Sequence, residues 1–281
     1  MKRIKKLSAL IKISRPVNAL MTFLSIVIAS VVCTVDNFSY TKVFLAAFAG
    51  ALTAIGGNII NDIFDIEIDK INMPERPLAK GILSKKEAVV FYITVNIIAL
   101  TISIFPGVYS FIIVLTAEVI LFFYSYILKG IILAGNISVA FLTGLAFFYG
   151  GAVVANWEYS LLPAGFAFLI NLIREIIKDM QDIAGDSQQG VITLPQKYGF
   201  GFSKRIISGL SILLVAATIF PFFLRIYKIE FLIIVMVLIN PMLIYSLKLL
   251  FDEDSTKNLK KISSIYKLSM VIGLIAIYFG K

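Results

Sequence analysis

The sequence predicts an all-α polytopic membrane protein with nine transmembrane helices, and three observations lead to that prediction. The 281-residue chain is 59% hydrophobic and only 15% charged, with a mean hydropathy of +0.93, whereas a soluble domain carries about 25% charged residues. Apolar stretches of about 20 residues, the length that crosses a bilayer core, recur along the whole sequence. No linker rich in Ser, Gly and Pro divides them, so we expect a single integral membrane domain over 1–281.

The elements follow in order from the N-terminus. The first stretch, "MKRIKKLSALIKISRP", is basic and is predicted to lie as an amphipathic segment at the membrane surface. The third and fourth spans after it are separated only by "FPG", which is typical of a tight turn. The nine predicted spans cover 17–34, 42–66, 87–105, 107–128, 131–153, 161–184, 206–224, 230–250 and 262–280.

The basic residues test this arrangement, because cytoplasmic loops of membrane proteins are enriched in Lys and Arg. With a cytoplasmic N-terminus, 22 of the 26 basic residues fall on that side, and only Lys42, Arg225, Lys228 and Lys281 fall outside. We therefore expect a multi-pass cell-membrane protein with a cytoplasmic N-terminus. The net charge of +9 indicates anionic membrane lipids as partners and not nucleic acid. Nothing in the sequence indicates an obligatory protein partner.

Two residue counts exclude whole classes of chemistry. The single cysteine, Cys33, rules out a disulfide within the chain. The absence of histidine excludes zinc held by histidine, haem with an axial histidine, and a serine or cysteine nucleophile activated by histidine.

Two acidic motifs stand out in this weakly charged chain. Asp62, Asp65 and Asp69 have the same spacing as Asp179, Asp182 and Asp186. Asn61, Asp65 and Asp69, at i, i+4 and i+8, would share one helix face. The motifs lie at the cytoplasmic ends of the second and sixth predicted spans. Their separation by four spans predicts a duplicated four-helix unit with a ninth helix added.

Stacked carboxylates at a helix C-terminus repel each other and the negative end of the helix dipole. A single motif of this kind could be a solvated helix cap, but two with matched spacing favour a bound cation. Oxygen ligands without His or Cys indicate Mg²⁺, which usually keeps waters and binds one or two carboxylates together with substrate phosphate. A diphosphate ligand is therefore expected between the motifs. Lys70, Arg76 and Lys80 after the first motif, and Lys197 after the second, supply phosphate donors.

Longer stretches around the motifs resemble the UbiA superfamily of intramembrane prenyltransferases. The stretches are "NDIFDIEID…RPLAKG" and "REIIKDMQDIAGDSQQGVITLP", supported by "RPVNALM", "YSYILKG" and "GNISVAFLTG". The resemblance covers nearly the whole chain. It implies a nine-helix bundle around a central cavity, and Mg²⁺-dependent transfer of a prenyl group from its diphosphate. The implied metal ligands are Asn61, Asp65, Asp69, Asp182 and Asp186.

The resemblance also implies roles for other residues. Asp65 and Asp182 are the expected catalytic carboxylates, with Asp62 and Asp179 at flanking positions that are often acidic. The expected diphosphate donors are Arg76, Lys129, Lys197 and Lys70, of which Arg76 is favoured over Lys70. The expected cavity-lining residues are Asn18, Tyr124, Tyr126 and Asn136, for each of which simple packing or a hydrogen bond between helices is the alternative.

The form of both motifs is most similar to the archaeal digeranylgeranylglyceryl phosphate synthase subfamily. That similarity implies transfer of a geranylgeranyl group from geranylgeranyl diphosphate to the free hydroxyl of geranylgeranylglyceryl phosphate. Lys12, Arg15 and Lys70 are candidates for binding the acceptor phosphate. An aromatic acceptor, such as a quinone precursor, would use the same motifs. A cation transporter is the more distant alternative, although transport sites lie near the bilayer midplane and these aspartates lie at helix ends.

Overall fold

The computed structural model describes residues 2–35, 38–188 and 192–281, with the side chains of 2, 3, 72 and 184–188 outside the description. Every regular element in those ranges is a helix, which confirms the predicted all-α class. The helices are α1 (Lys2–Ser14), α2 (Pro16–Cys33), α3 (Tyr40–Phe64), α4 (Ile66–Asn72), α5 (Lys85–Ser103), α6 (Val108–Tyr126), α7 (Ala134–Val153), α8 (Leu161–Gln188), α9 (Leu194–Phe223), α10 (Ile229–Ile234), α11 (Asn240–Asp252) and α12 (Thr256–Phe279).

Nine spans are long and apolar enough to cross a membrane within the described ranges, as predicted. They are α2, α3, α5, α6, α7, α8 with the short turn before it, α9, α10 joined to α11 by a π-helical turn, and α12. Two helices begin earlier than their apolar runs. α9 starts at Leu194 and not 206, with a kink at Gly199 (φ 79°, ψ 167°), and α12 starts at Thr256 and not 262. Their first turns are polar, so hydropathy does not detect them. Capping hydrogen bonds mark where these two helices start. Gln196 accepts from the Thr193 N–H at 3.1 Å, and Ser255 accepts from the Asn258 N–H at 3.2 Å.

The first helix, α1, is fastened to the protein by both of its faces. Ala9 and Ile13 are buried against Ile59 and Ile63 of α3 and Leu83 of the following loop. The polar contacts are made by Lys6 to Glu87, by Lys12 Nζ to the Glu75 carbonyl at 2.9 Å, and by Asn58 Nδ2 to the Ser14 carbonyl at 3.2 Å. The predicted amphipathic segment is thus an ordered part of the fold.

The helices group into two compact units, residues 1–128 with 145–160, and residues 129–144 with 161–281. In the first unit α3 packs against α2, α5 and α6, and in the second α8 packs against α9 and α12. The first acidic motif lies in the first unit and the second motif in the second. The four-helix duplication and the single domain over 1–281 stay predictions.

Helices α2 and α7 of the first unit approach closely at Gly150. Ser30 Oγ donates to the Gly150 carbonyl at 3.0 Å. A Cβ at position 150 would lie 2.6 Å from the Ala29 Cβ and 2.9 Å from the Ser30 nitrogen. Only glycine fits there, which is typical of helix pairs in membranes.

We expect Gly150→Val to lower the free energy of unfolding by about 1–3 kcal/mol, because the added side chain would force α2 and α7 apart. Thermal unfolding in detergent measures this loss. The matched control is Gly165→Ala on α8, where an added Cβ would meet nothing within 4 Å. Equal midpoints for the two variants would contradict the close approach.

Candidate active site

The first acidic motif lies where α3 passes into α4. α3 ends at Phe64, Asp65 leaves the regular helix with φ −91° and ψ 8°, and α4 begins at Ile66. The hydrogen bonds of the helix nevertheless continue across this junction. The Asp65 N–H donates to the Asn61 carbonyl at 2.9 Å, and the Asp69 N–H donates to the Asp65 carbonyl at 2.7 Å. Asn61, Asp65 and Asp69 therefore keep the shared face that their spacing predicts.

Two arginines neutralise the buried carboxylates of this motif. Asp62 and Asp69 are only 2% and 4% exposed. Arg15 Nη2 donates to Asp62 Oδ1 at 2.5 Å. Arg76 Nη1 donates to Asp69 at 2.7 and 2.8 Å and to Asp62 at 3.3 Å. Mutual repulsion of these two carboxylates, the expectation from the sequence, is therefore largely offset by guanidinium groups.

The other two polar residues of the first motif, Asn61 and Asp65, contact each other. Asn61 Nδ2 donates to Asp65 Oδ2 at 2.9 Å, which orients the carboxylate. Asp65 is half-buried, in contrast to Asp62 and Asp69. The sequence did not single out Arg15 as a partner of the motif. Its position directly before Pro16, at the corner between α1 and α2 with φ 47°, is the only local sign of a special role.

Burial and ion pairing act against each other on the pKa values of Asp69 and Arg76. Burial raises the pKa of Asp69, although the hydrogen bonds and charge of Arg76 oppose that rise. For Arg76, burial acts to lower the pKa, but Asp62 and Asp69 outweigh it and the pKa is raised. Arg76 therefore stays charged. Within the described chain, the side-chain hydrogen bonds of Arg76 run through Nη1, so Nε and Nη2 remain available to a phosphate oxygen.

The loop after α4 is ordered by local contacts. The Ile82 N–H donates to the Pro77 carbonyl at 3.0 Å, and Pro77 and Leu78 are buried. Lys70 is exposed and pairs with Glu67 at 2.7 Å. Lys80 pairs with Glu75 at 2.7 Å, and its hydrogen bond lowers the pKa of that carboxyl. Lys70 is thus held at the protein surface, which agrees with preferring Arg76 as the phosphate donor.

The second acidic motif lies on the last turns of α8. Asn136 Nδ2 of α7 donates to Asp179 Oδ2 at 2.9 Å, which brings a predicted cavity residue into contact with the motif. Asp182 is exposed, and the side chain of Asp186 lies outside the described residues. Lys129 lies in the short turn Leu128–Gly130. Lys197 is exposed in the first turn of α9, with its Nζ 5.3 Å from the centre of the Tyr198 ring.

Aromatic rings cluster at the C-terminal end of α3, directly before Asp65 in the sequence. Tyr126 is 62% exposed, and its ring lies 5.9 Å from Phe64 and 6.1 Å from Phe122. Phe64 immediately precedes Asp65 and was not predicted, because 23 Phe residues give no way to choose among them. Tyr124, on the same helix, is half-buried, and Asn18 is exposed on α2. Rings with accessible faces beside a charged site can stabilise a cation.

The donor chemistry of the motifs fits a magnesium ion. In the described part of the chain no three carboxylates already gather as a metal cage. Mg²⁺ does not require one, since it usually takes one or two carboxylates, waters and substrate phosphates. Asn61, Asp65 and Asp182 offer amide and carboxylate oxygens only, the ligands that Mg²⁺ prefers.

Comparison with known proteins agrees with this geometry. Residues 20–271 match the sequence profile of the UbiA prenyltransferase family. The chain belongs to this family. Its relatives include the digeranylgeranylglyceryl phosphate synthases of Methanosphaera stadtmanae, 31% identical over 270 residues, and of Methanothermobacter thermautotrophicus, 33% identical over 273 residues. These alignments cover 96% of this chain and 98% and 95% of the relatives.

Solved structures of the family share the fold. A digeranylgeranylglyceryl phosphate synthase structure matches with a TM-score of 0.81 and 32% identity, over 98% of both chains. A UbiA homologue from Archaeoglobus fulgidus bound to GPP and Mg²⁺ matches with a TM-score of 0.71 and 19% identity, over 96% of this chain and 99% of that one. The predicted family is confirmed, and this UbiA chain is an integral multi-pass membrane protein.

Proposed function

We propose that this UbiA prenyltransferase transfers a geranylgeranyl group from geranylgeranyl diphosphate to the free hydroxyl of geranylgeranylglyceryl phosphate. The product carries the second ether bond of an archaeal membrane lipid. The observation that supports this most is the likeness, over nearly the whole chain, to digeranylgeranylglyceryl phosphate synthases. The sequence identity to the digeranylgeranylglyceryl phosphate synthase structure is 32%, whereas the identity to the Archaeoglobus fulgidus UbiA homologue bound to GPP and Mg²⁺ is 19%.

The carboxylate motifs would bind Mg²⁺ and, through it, the substrate diphosphate. The proposed ligands are Asn61, Asp65, Asp69, Asp182 and Asp186. Bound Mg²⁺ supplies positive charge that neutralises the diphosphate as it leaves. Arg76 would donate to diphosphate oxygens through Nε and Nη2 while Nη1 holds Asp69. Lys129, Lys197 and Lys70 are further proposed donors.

Breaking the allylic C–O bond leaves a cation on the prenyl group. The rings of Phe64, Phe122 and Tyr126 would stabilise it, and helices lined by apolar residues would keep water away. The acceptor hydroxyl then attacks the cation and loses its proton. The chain has no histidine, so a carboxylate, the diphosphate or water takes that proton.

We also propose that the N-terminus and both motifs face the cytoplasm, so that the charged diphosphate end of the substrate reaches the site from water. Support comes from the distribution of basic residues, 22 of 26 on that side. The prenyl diphosphate and the lipid-like acceptor are the proposed substrates.

Side-by-side acceptor assays test the function. Purified protein with Mg²⁺ and labelled geranylgeranyl diphosphate is offered geranylgeranylglyceryl phosphate and 4-hydroxybenzoate, with and without EDTA. We expect labelled diether phosphate, and its loss when EDTA removes the metal. Excess Mg²⁺ added after EDTA is the control and should restore turnover. A labelled aromatic product would be consistent with the proposed metal site but would contradict the proposed lipid acceptor. No transfer to either acceptor, with Mg²⁺ binding intact, would favour the transporter alternative.

A further inference from the structure

Helix α8 carries a polar face that continues deeper into its span than the second acidic motif. Asn171, Arg174, Glu175, Lys178 and Gln181 all precede Asp182 on this helix. At a rise of 1.5 Å per residue, Arg174 lies about 12 Å from Asp182 along the helix axis. Charged side chains at such depth are costly and typically mark a functional site. The proposed metal chemistry does not use any of these five residues.

The charges within this face do not balance. Lys178 Nζ and Arg174 Nη1 both contact Oε1 of Glu175, at 2.5 and 3.3 Å. Glu175 is 9% exposed, and the Arg174 side chain is 21% exposed. Two cations thus share one carboxylate; the Arg174 side chain is poorly solvated, whereas that of Lys178 is 36% exposed. A poorly solvated guanidinium that shares its carboxylate with a second cation favours binding of an anion.

On this face of α8, the buried side-chain groups that lack a hydrogen-bond partner within the described residues are all donors. Asn171 Nδ2, Arg174 Nε and Gln181 Nε2 are buried and find no acceptor in the part of the chain that the structure describes. Asn171 as a whole is 4% exposed. Buried polar groups are usually paired, so three orphaned N–H groups along one helix indicate a ligand that supplies acceptor oxygens. Charge and hydrogen bonding therefore both point to an oxyanion.

The donors and the second motif occupy neighbouring stripes of α8. At about 100° per residue, Asn171, Arg174, Lys178 and Gln181 span about 80° of arc. Asp182 lies about 20° beyond Asn171, and Asp186 and Asp179 lie about 60° and 80° beyond it. We name Asn171, Arg174, Lys178 and Gln181 the donor stripe. The donor stripe therefore runs directly beside the aspartates of the second motif.

We propose that the donor stripe of α8 binds the phosphomonoester of the acceptor lipid, with Arg174 as its main cation. This inference rests on the proposed function, which requires two phosphate-bearing substrates. The diphosphate is accounted for by the carboxylate motifs and Mg²⁺, so the acceptor phosphate needs a site that supplies donors itself. The donor stripe also explains how the site would favour a phosphorylated glycerol over an aromatic acceptor.

Steady-state kinetics on the full-length protein with Mg²⁺ test this proposal. Wild type and Arg174→Gln are compared with geranylgeranylglyceryl phosphate and with geranylgeranylglycerol, which lacks the phosphate. We expect the variant to raise KM for the phosphorylated acceptor about tenfold or more, since a charge-assisted hydrogen bond is lost. Its KM for geranylgeranyl diphosphate and its kinetics with the phosphate-free acceptor should stay within about twofold of wild type.

Two further variants separate binding from a structural role. Glu175→Gln removes the carboxylate that competes for both cations, so KM for the phosphorylated acceptor should fall, whereas loss of a purely structural ion pair would not improve it. Lys260→Gln, an exposed cation of α12, is the charge control and should leave all constants unchanged.

Results that contradict this inference can be distinguished from results that contradict the proposed function. If wild type uses both acceptors equally well, no phosphate is recognised and the inference fails, whether or not Arg174→Gln folds. It also fails if Arg174→Gln weakens both acceptors alike or raises KM for geranylgeranyl diphosphate. If wild type transfers to neither acceptor, the proposed function itself fails and the inference falls with it.

Discussion

Replacing Asp65 or Asp182 with alanine is expected to abolish prenyl transfer while the protein stays folded. Each change removes a proposed magnesium ligand and, with it, stabilisation of the charge that grows on the leaving diphosphate, so turnover should fall about a thousandfold or more. Asp65 is half-buried and Asp182 exposed. Neither is a deeply buried charge, so the free energy of unfolding should change by only about 1 kcal/mol.

The measurement combines turnover with thermal unfolding. In wild type, Mg²⁺ with geranylgeranyl diphosphate should raise the unfolding midpoint, since a ligand that binds the folded state stabilises it. Both variants should lose that shift. Asp252→Ala, which removes an exposed carboxylate at the end of α11, is the matched control and should keep both activity and shift. Loss of folded protein on size-exclusion chromatography, in place of lost activity, would count against metal binding.

Asp62→Ala is expected to behave differently from Asp65→Ala, because it should destabilise the fold. Asp62 is 2% exposed and accepts from both Arg15 and Arg76. Without it, two guanidinium groups lose their shared partner, and breaking a buried ion pair costs about 3–5 kcal/mol. The arginine side chains are 32% and 28% exposed, so water offsets part of that cost. We expect a loss of about 2–3 kcal/mol.

A double-mutant cycle checks the cause. Asp62→Ala combined with Arg15→Met should be less destabilised than the sum of the single variants, because the pair is removed together. Glu75→Ala, which breaks an exposed pair with Lys80, is the control and should leave the unfolding midpoint close to that of wild type. Additive effects of Asp62 and Arg15 would show that the two residues do not interact.

This second prediction reverses an expectation from the sequence. Aspartates stacked at a helix end suggest repulsion, so removing Asp65 or Asp182 should relieve strain. That reasoning still applies to Asp65, but it is wrong for Asp62 and Asp69, which face arginines. Arg15 lies 47 residues before Asp62, and only the packing of α1 and α2 against α3 brings them together. The order of charged residues in the sequence therefore did not show which of these charges are paired in the folded protein.

Other parts of the site also divide into features that the sequence predicts and contacts that only the folded structure reveals. The face shared by Asn61, Asp65 and Asp69 was predictable, because the helical period alone sets it and the backbone bonds persist through the break at Asp65. The contact of Asn136 with Asp179, 43 residues away, was not. Likewise, the sequence could not show which aromatic residues lie near the motif, because the chain has 23 Phe and 12 Tyr residues.

The sequence by itself determined the spans, the family and the spacing of both acidic motifs. These depend on local quantities: the bilayer sets the length of an apolar run, and the helical period sets which residues share a face. The tertiary structure alone decided which aspartates are neutralised, by Arg15 and Arg76, and which donors on α8 lack an acceptor. Burial and pairing depend on neighbours that are distant in sequence, and in a medium without water these neighbours decide the cost of every charge.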